Sequence, residues 1–458
     1  MTIVEAHPRP VPGPSRAYRF PAFHRLTLDN GVALIVAPVS KLPVVTVVAL
    51  IDAGTAADPR GREGVATLTA QALAEGTEDS NGAQLAERFE RLGTALDTAA
   101  DWDSTTARIT VTSERLAAAV ALLADVVRTP SFPERDVERL KQERLAELLQ
   151  QQAEPRGLAD DMFSRFAYAA DSRYALPDAG VEATVDSLDH RAVREFYRSR
   201  YSPASTTVIV VGDATLDSAR SVVERAFGTW RGPTVPQVTV SDRAASLTRA
   251  IHVVGKPDAP QSELRVGHVG VPRLHPEYFP IVVMNAVLGG LFSSRINLNL
   301  REAHAYTYGA FSSFDWRRNA GPFTVATAVR SDVTDAAVHE IMLEINRLRD
   351  SGVTDDELTL ATSYLDGVFP IRFESTTAIA NALASLVSYG LPDDYFDRYR
   401  DSIRSVTAAR VLDAARTFVR PDELQIVAVG DPAVVRAPLE KLAIGPVLAY
   451  DAEGRPAS

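Results

Sequence analysis

Two stretches of this 458-residue chain repeat one another, and the repeat narrows the folds open to it more than any other feature. Residues 186–215 read DSLDHRAVREFYRSRYSPASTTVIVVGDAT, and residues 404–433 read RSVTAARVLDAARTFVRPDELQIVAVGDPA. Setting Gly212-Asp213 on Gly430-Asp431 gives an offset of 218, which also sets Pro203 on Pro421 and Ser187 on Ser405. Each copy parses as a helix, a turn containing proline, a β-branched strand (TTVIVVG, LQIVAVG) and a Gly-Asp turn into another helix. An internal duplication of about 220 residues explains this better than chance does.

Both halves follow a similar plan. The first opens with strands (GVALIVAP, VVTVVALIDAG), passes through helical stretches around 64–92, and returns to a strand at TTARITVT. A long charged helix follows at ERDVERLKQERLAELLQQQ. The second opens with AIHVV and ELRVGHVG, then has helical PEYFPIVVMNAVLGG, strands near YTYGAFSSF and FTVATAVR, and helices from 333 on. Strands grouped together and interrupted by helix pairs predict an α+β fold: two homologous α/β-roll halves joined by a linker. Such a chain also exceeds the ~250–300 residues at which one core stops growing. The predicted divisions are an N-terminal arm at 1–18, a first half at 19–231, a linker at 232–247, a second half at 248–445 and a tail at 446–458.

Composition excludes several classes. A formal charge of −11 argues against a nucleic-acid partner. The absence of cysteine removes disulfides, thiolate metal sites and cysteine nucleophiles, and agrees with a reducing compartment. Pro8, Pro10, Pro12 and Pro14 stand where a signal peptide would carry its apolar run, and no run of about 18 uninterrupted apolar residues predicts a membrane span. The expectation is a cytoplasmic protein without a membrane partner.

Familiar catalytic patterns are missing. No two of the eight histidines lie three to five residues apart, so no helix face offers a His pair to a metal. His339-Glu340 begins like H-E-x-x-H, but Leu343 stands where the second His belongs, and a solvated helix face is the plainer reading. There is no G-x-S-x-G elbow, Walker loop or G-x-G-x-x-G fingerprint.

The stretch GVATLTAQALAEGTE at 64–78 and the segment SSRINLNLREAHAYTYGAFSSF together resemble the M16 metallopeptidases, the pitrilysin and mitochondrial-processing-peptidase group. The resemblance runs from about Phe20 to Leu442. That family carries the inverted zinc motif G-x-x-H-x-x-E-H-x-x-x-x-G-T in its first half. Here Gly64, Ala66, Leu68, Gly76 and Thr77 keep the frame, whereas Thr67 and Gln71 replace the two His ligands and Ala70 replaces the glutamate that activates water. The family's third ligand falls at Glu147, for which a helix-surface charge is the plainer reading. Positions i and i+4 share a helix face, yet Thr and Gln oxygens are poor zinc ligands and Ala is no general base. Asp97 replaces an Asn usual near the substrate-pairing edge strand, which implies an altered or lost substrate contact there.

The second half matches instead of departing. Arg301 and Tyr308 fall on the family's Arg/Tyr pair, which implies an Arg that fixes a peptide carbonyl and a phenol that donates to the oxyanion. In isolation the pair would read as a surface Arg and a core aromatic. Glu302 and His304 read as structural neighbours. The resemblance therefore implies a chain that binds no cofactor itself and is no peptidase alone. It would be the zinc-free, substrate-orienting subunit of a two-chain peptidase whose partner carries the intact H-x-x-E-H and its zinc. A homodimer is the form open to the chain without that partner. Two rivals remain: a non-catalytic structural or peptide-binding protein of this fold, and a lone peptidase with zinc bound elsewhere, which the scattered histidines disfavour.

Overall fold

The computed structural model describes residues 17–457, so most of the expected N-terminal arm, 1–16, lies outside the described residues. Two six-stranded sheets dominate. The first is built from β1 (His24–Thr27), β2 (Ala33–Pro38), β3 (Val44–Ile51), β6 (Asp97–Ala100), β7 (Thr105–Thr112) and β8 (Thr206–Gly212), in the order β1-β2-β8-β3-β7-β6; a small ribbon of β4 (Gly76–Thr77) and β5 (Ser80–Asn81) stands apart. The second is built from β9 (Ala250–Gly255), β10 (Gln261–Val269), β11 (Ala310–Phe314), β12 (Pro322–Arg330), β13 (Gln425–Gly430) and β14 (Val447–Tyr450), in the order β14-β9-β13-β10-β12-β11.

Five strands of each sheet share one plan. β2 and β9 run parallel to β8 and β13, and the neighbours on the far side run antiparallel. Register repeats as well: Ala33 pairs with Thr207 as Ala250 pairs with Gln425, and Thr46 pairs with Thr110 as Glu263 pairs with Ala328. β8 and β13 are buried along their whole length, which is why both read as near-continuous β-branched runs without alternation.

What covers the sheets is less symmetrical with the chain order. Val47 and Ala49 of β3 face helices of their own half, while Val48 and Leu50 face the other way, where Ile379 and Leu383 of helix Thr376–Tyr389 close over them. That helix belongs to the second half. In return, Leu158, Met162 and Phe163 of helix Pro155–Ala167 cover Val254, Val427 and Val429 of the second sheet. Each half thus lends a helix to the other half's sheet.

Further bonds lock the joint. Arg318 Nη1 lies 2.8 Å from Asp52, and its backbone N–H donates to Asp103 at 2.9 Å. The Tyr168 hydroxyl donates to the carbonyl of Ala320 at 2.9 Å. Residues 232–247, expected as a linker, contain no helix or strand beyond a single bridge from Ala244 to Tyr168.

Both expected ends are more engaged than their names suggest. Tyr18 packs its ring on Phe369 and Phe373 at 5.9 and 6.3 Å. Val447–Tyr450, in the segment read as a tail, forms β14 beside β9, with Tyr450 packed on Phe166 at 4.6 Å. The apolar helical run Tyr278–Ala303 is long enough to cross a membrane by composition, but most of it is buried inside the second half.

Candidate functional site

Helix Val65–Ala72 holds the frame of the inverted motif for backbone reasons. Gly64 precedes it at φ +100°, and a Cβ there would sit 2.7 Å from the carbonyl oxygen of Ala179, so only glycine fits. Gly76 closes the segment at φ +138°, with Ser80 O equally near. The helix N-terminus is capped from a distance: Asp58 accepts from the N–H groups of Gly64 and Ala66 at 2.8 and 2.9 Å. Arg173 pairs with Asp58 at 3.0 Å, yet burial still pushes the Asp58 carboxyl up to about 6.

On this well-held helix the chemical positions are blank. Ala70 is buried, while Thr67 and Gln71 are half-buried, and their side chains hydrogen-bond to none of the described residues. Glu147 stands on the neighbouring helix Glu134–Ala153 with its side chain 59% exposed, held at 3.1 Å by Arg144. A hydroxyl, an amide and an ion-paired surface carboxylate do not make a zinc donor set. Among the described residues no three His, Asp or Glu side chains converge elsewhere. Buried His268 is pushed down to about 3 by burial and by Arg420, and His252 stacks on Phe166 at 4.1 Å, so both act as core residues. The edge strand β6 also packs beside the blank helix. Its Asp97 is ion-paired with Arg108, so the charge that replaces the family's Asn is neutralised within the sheet.

The Arg301–Tyr308 segment is built in the second half. Helix Tyr278–Asn285 widens into a π-helical turn at Ala286–Gly290, and a second such turn spans Leu298–Ala303. Ala305, at φ +54°, then bends the chain into a loop leading to β11. Buried Asn297 ties the pieces together: Nδ2 donates to Phe292 O at 2.6 Å, and Oδ1 accepts from Ala310 N at 3.0 Å. Asn299 Nδ2 donates to Glu340 and Glu344 at 2.9 and 2.8 Å. On the loop itself Thr307 Oγ1 accepts from Gly309 N at 3.1 Å and from Thr327 Oγ1 at 3.0 Å.

Tyr308 projects from this pinned loop and is 94% exposed, which is not the packing of a core aromatic. The Arg301 guanidinium lies 4.6 Å from the Phe292 ring and 3.5 Å from Glu302, with Nη1 sealed from solvent and without a hydrogen-bond partner among the described residues. His304 stacks on Tyr306 at 5.0 Å and lies 3.8 Å from Glu340, so it buttresses the loop from behind. The side chains holding this segment come from the second half, and the blank helix lies in the first. Sequence reasoning missed Asn297, Asn299 and Phe292. Two asparagines inside an apolar helical run, where Asn is a poor helix former, were the available signal.

Comparison with known proteins gives a consistent picture. The family profile described as insulinase (Peptidase family M16) matches residues 34–175, and the one described as Peptidase M16 inactive domain matches residues 187–365. An uncharacterized zinc protease of Bacillus subtilis is 23% identical over 77% of this chain and 85% of its own length. A probable mitochondrial-processing peptidase subunit beta of Arabidopsis thaliana is 22% identical over 88% of this chain and 77% of its own. Among solved structures, a peptidase M16 inactive domain from Pseudomonas fluorescens superposes with a TM-score of 0.83 at 24% identity, covering 89% of this chain and 98% of that one. A protease from Helicobacter pylori superposes at 0.84 with 17% identity, covering 90% and 100%.

Proposed function

Because the chain belongs to the M16 peptidase family, we propose that it is the zinc-free subunit of a two-chain peptidase. In this reading it supplies Arg301 and Tyr308 to a partner of the same family that carries the intact H-x-x-E-H and its zinc. The observation that carries the reading is Tyr308: a phenol 94% exposed on a loop pinned at Thr307, Gly309 and Asn297 is held for something outside the chain. Arg301, whose side chain is 34% exposed and whose Nε and Nη2 donate to no described residue, fixes the carbonyl of a bound peptide. Tyr308 donates its proton to the oxygen on which negative charge develops during attack, where a preorganised donor acts most strongly. The bond-breaking chemistry belongs to the partner's metal, because Thr67, Ala70, Gln71 and Glu147 supply neither ligands nor a base.

A mild pull-down of the chain from its source cells, with elemental analysis of the purified chain, tests this. A stoichiometric M16 partner with the intact motif, and peptide cleavage only by the pair, is the expected result. About one zinc per chain in the purified protein overturns it. Recovery of the chain with itself alone favours the structural or peptide-binding reading instead.

A further inference from the structure

Among the described residues four arginines are buried, each less than a tenth exposed: Arg265, Arg273, Arg317 and Arg400. Arg265, Arg317 and Arg400 each hold a carboxylate, at 2.5, 2.5 and 2.6 Å. Arg273 holds none among the described residues. Its guanidinium carbon lies 3.7 Å from the centroid of the Tyr278 ring and 4.9 Å from that of Tyr395, and Nη2 donates to the Tyr395 hydroxyl at 2.6 Å. Nε and Nη1 donate to no atom of the described residues, and neither is sealed from solvent. Arg273 lines a cavity of about 410 Å³ between the loop entering helix Tyr278–Asn285 and the start of helix Tyr395–Arg404.

The lining of that cavity contains Arg273, His275 and Arg398 but no acidic residue; the rest is largely apolar, with Phe279, Leu391 and Pro392 as walls. Arg398 is already paired with Asp394 at 2.7 Å, which leaves Arg273 as the cation without a counter-charge. Aromatic faces recover part of the cost of burying a guanidinium, but an unpaired buried charge remains unfavourable until an anion meets it.

We propose that this cavity binds a carboxylate carried on an apolar body, with Arg273 as its charge partner. The carboxylate accepts from the free guanidinium donors and from the Tyr395 hydroxyl, whose proton is available because its oxygen accepts from Arg273. Burial holds that phenol above its usual range, so the proton stays on. The apolar body lies against Phe279 and Leu391. This site is separate from Arg301, which does not line the cavity, so the proposal stands independently of the peptidase reading.

Two sources share the chemistry, the last residue of a peptide and a free aromatic acid. Calorimetric titration of the full chain with N-acetyl-leucyl-phenylalanine, its C-terminal amide and 3-phenylpropionate separates them. Saturable binding of one or both acids is expected, with the amide at least about tenfold weaker for loss of the charged hydrogen bond. Binding of the peptide acid alone identifies a peptide terminus, and binding of phenylpropionate identifies a free acid. Leu274→Glu, at a mouth position 60% exposed, puts a carboxylate beside the site without touching the core and should abolish binding without lowering the melting temperature. Equal binding of acid and amide, no saturation by either acid, or full binding by Leu274→Glu overturns the proposal.

Discussion

Arg317 lays its guanidinium over the ring of Trp102, 4.1 Å from the centroid. The two residues come from the tips of the β6–β7 and β11–β12 hairpins, which occupy the same place in the two sheets. The tips read Asp101-Trp102-Asp103 and Asp315-Trp316-Arg317, alike in two positions and opposite in charge at the third. Arg317 also lies 4.6 Å from the Tyr174 ring, and the next residue, Arg318, bridges Asp103 and Asp52. The two halves therefore meet tip to tip, with the position at which the tips differ providing the attraction.

Tyr308→Phe removes one hydroxyl from a side chain almost wholly in solvent. In the reconstituted two-chain enzyme it should lower kcat by about 10–1000-fold, the scale for one oxyanion donor, and leave the melting temperature where it was. An unchanged kcat would take the tyrosine out of the chemistry.

Asn297→Ala should destabilise the chain by about 2 kcal/mol, because the buried Ala310 N–H and the Phe292 carbonyl both lose their partner. Urea denaturation measures this. A loss below about 0.5 kcal/mol would mean that the loop carrying Tyr308 is held by its own backbone.

The joint should respond to pH through Asp103, whose carboxyl is pushed up to about 6 chiefly by burial, against the pull of Arg318. The folded state then binds the proton more tightly than the unfolded chain, whose value is near 3.8. The group's contribution is fully present below the unfolded value and is lost as pH rises through about 6. Asp103→Asn should flatten this part of the stability profile between about pH 4 and 7 while still accepting from the Arg318 N–H. Melting curves across that range check it; an unchanged slope would place the titration elsewhere.

Phe163→Ala should cost about 3–5 kcal/mol and do so in one transition that includes both halves. The helix bearing Phe163 belongs to the first half by sequence but seals the second sheet. Two separated calorimetric transitions in the wild-type chain would show that the exchanged helices do not couple the halves.

Much of the framework was legible in the chain. The 218-residue offset located β8 and β13, and their uninterrupted apolar runs announced strands covered on both faces. Gly64 and Gly76 marked the ends of the motif segment, and both prove to have positive φ. The replacements at Thr67, Ala70 and Gln71 needed no coordinates to read as chemically blank. Less legible were Asn297 and Asn299, whose partners Ala310, Glu340 and Glu344 lie 13, 41 and 45 residues away. The exposure of Tyr308 was equally hidden, since an aromatic in an apolar segment points inward by default.

Periodicity and composition are local properties, and they settled which residues form strands, which faces are apolar and which positions lack a metal's ligands. They could not say whose helix covers which sheet. An apolar face is satisfied by any apolar partner of suitable shape, and the hydrophobic effect has no direction in sequence. Only the tertiary structure decided that helix Pro155–Ala167 and helix Thr376–Tyr389 change sides, that Val447–Tyr450 completes a sheet, and that Arg273 is buried without a carboxylate. Each depends on which distant groups arrive together, a matter of packing and charge in three dimensions.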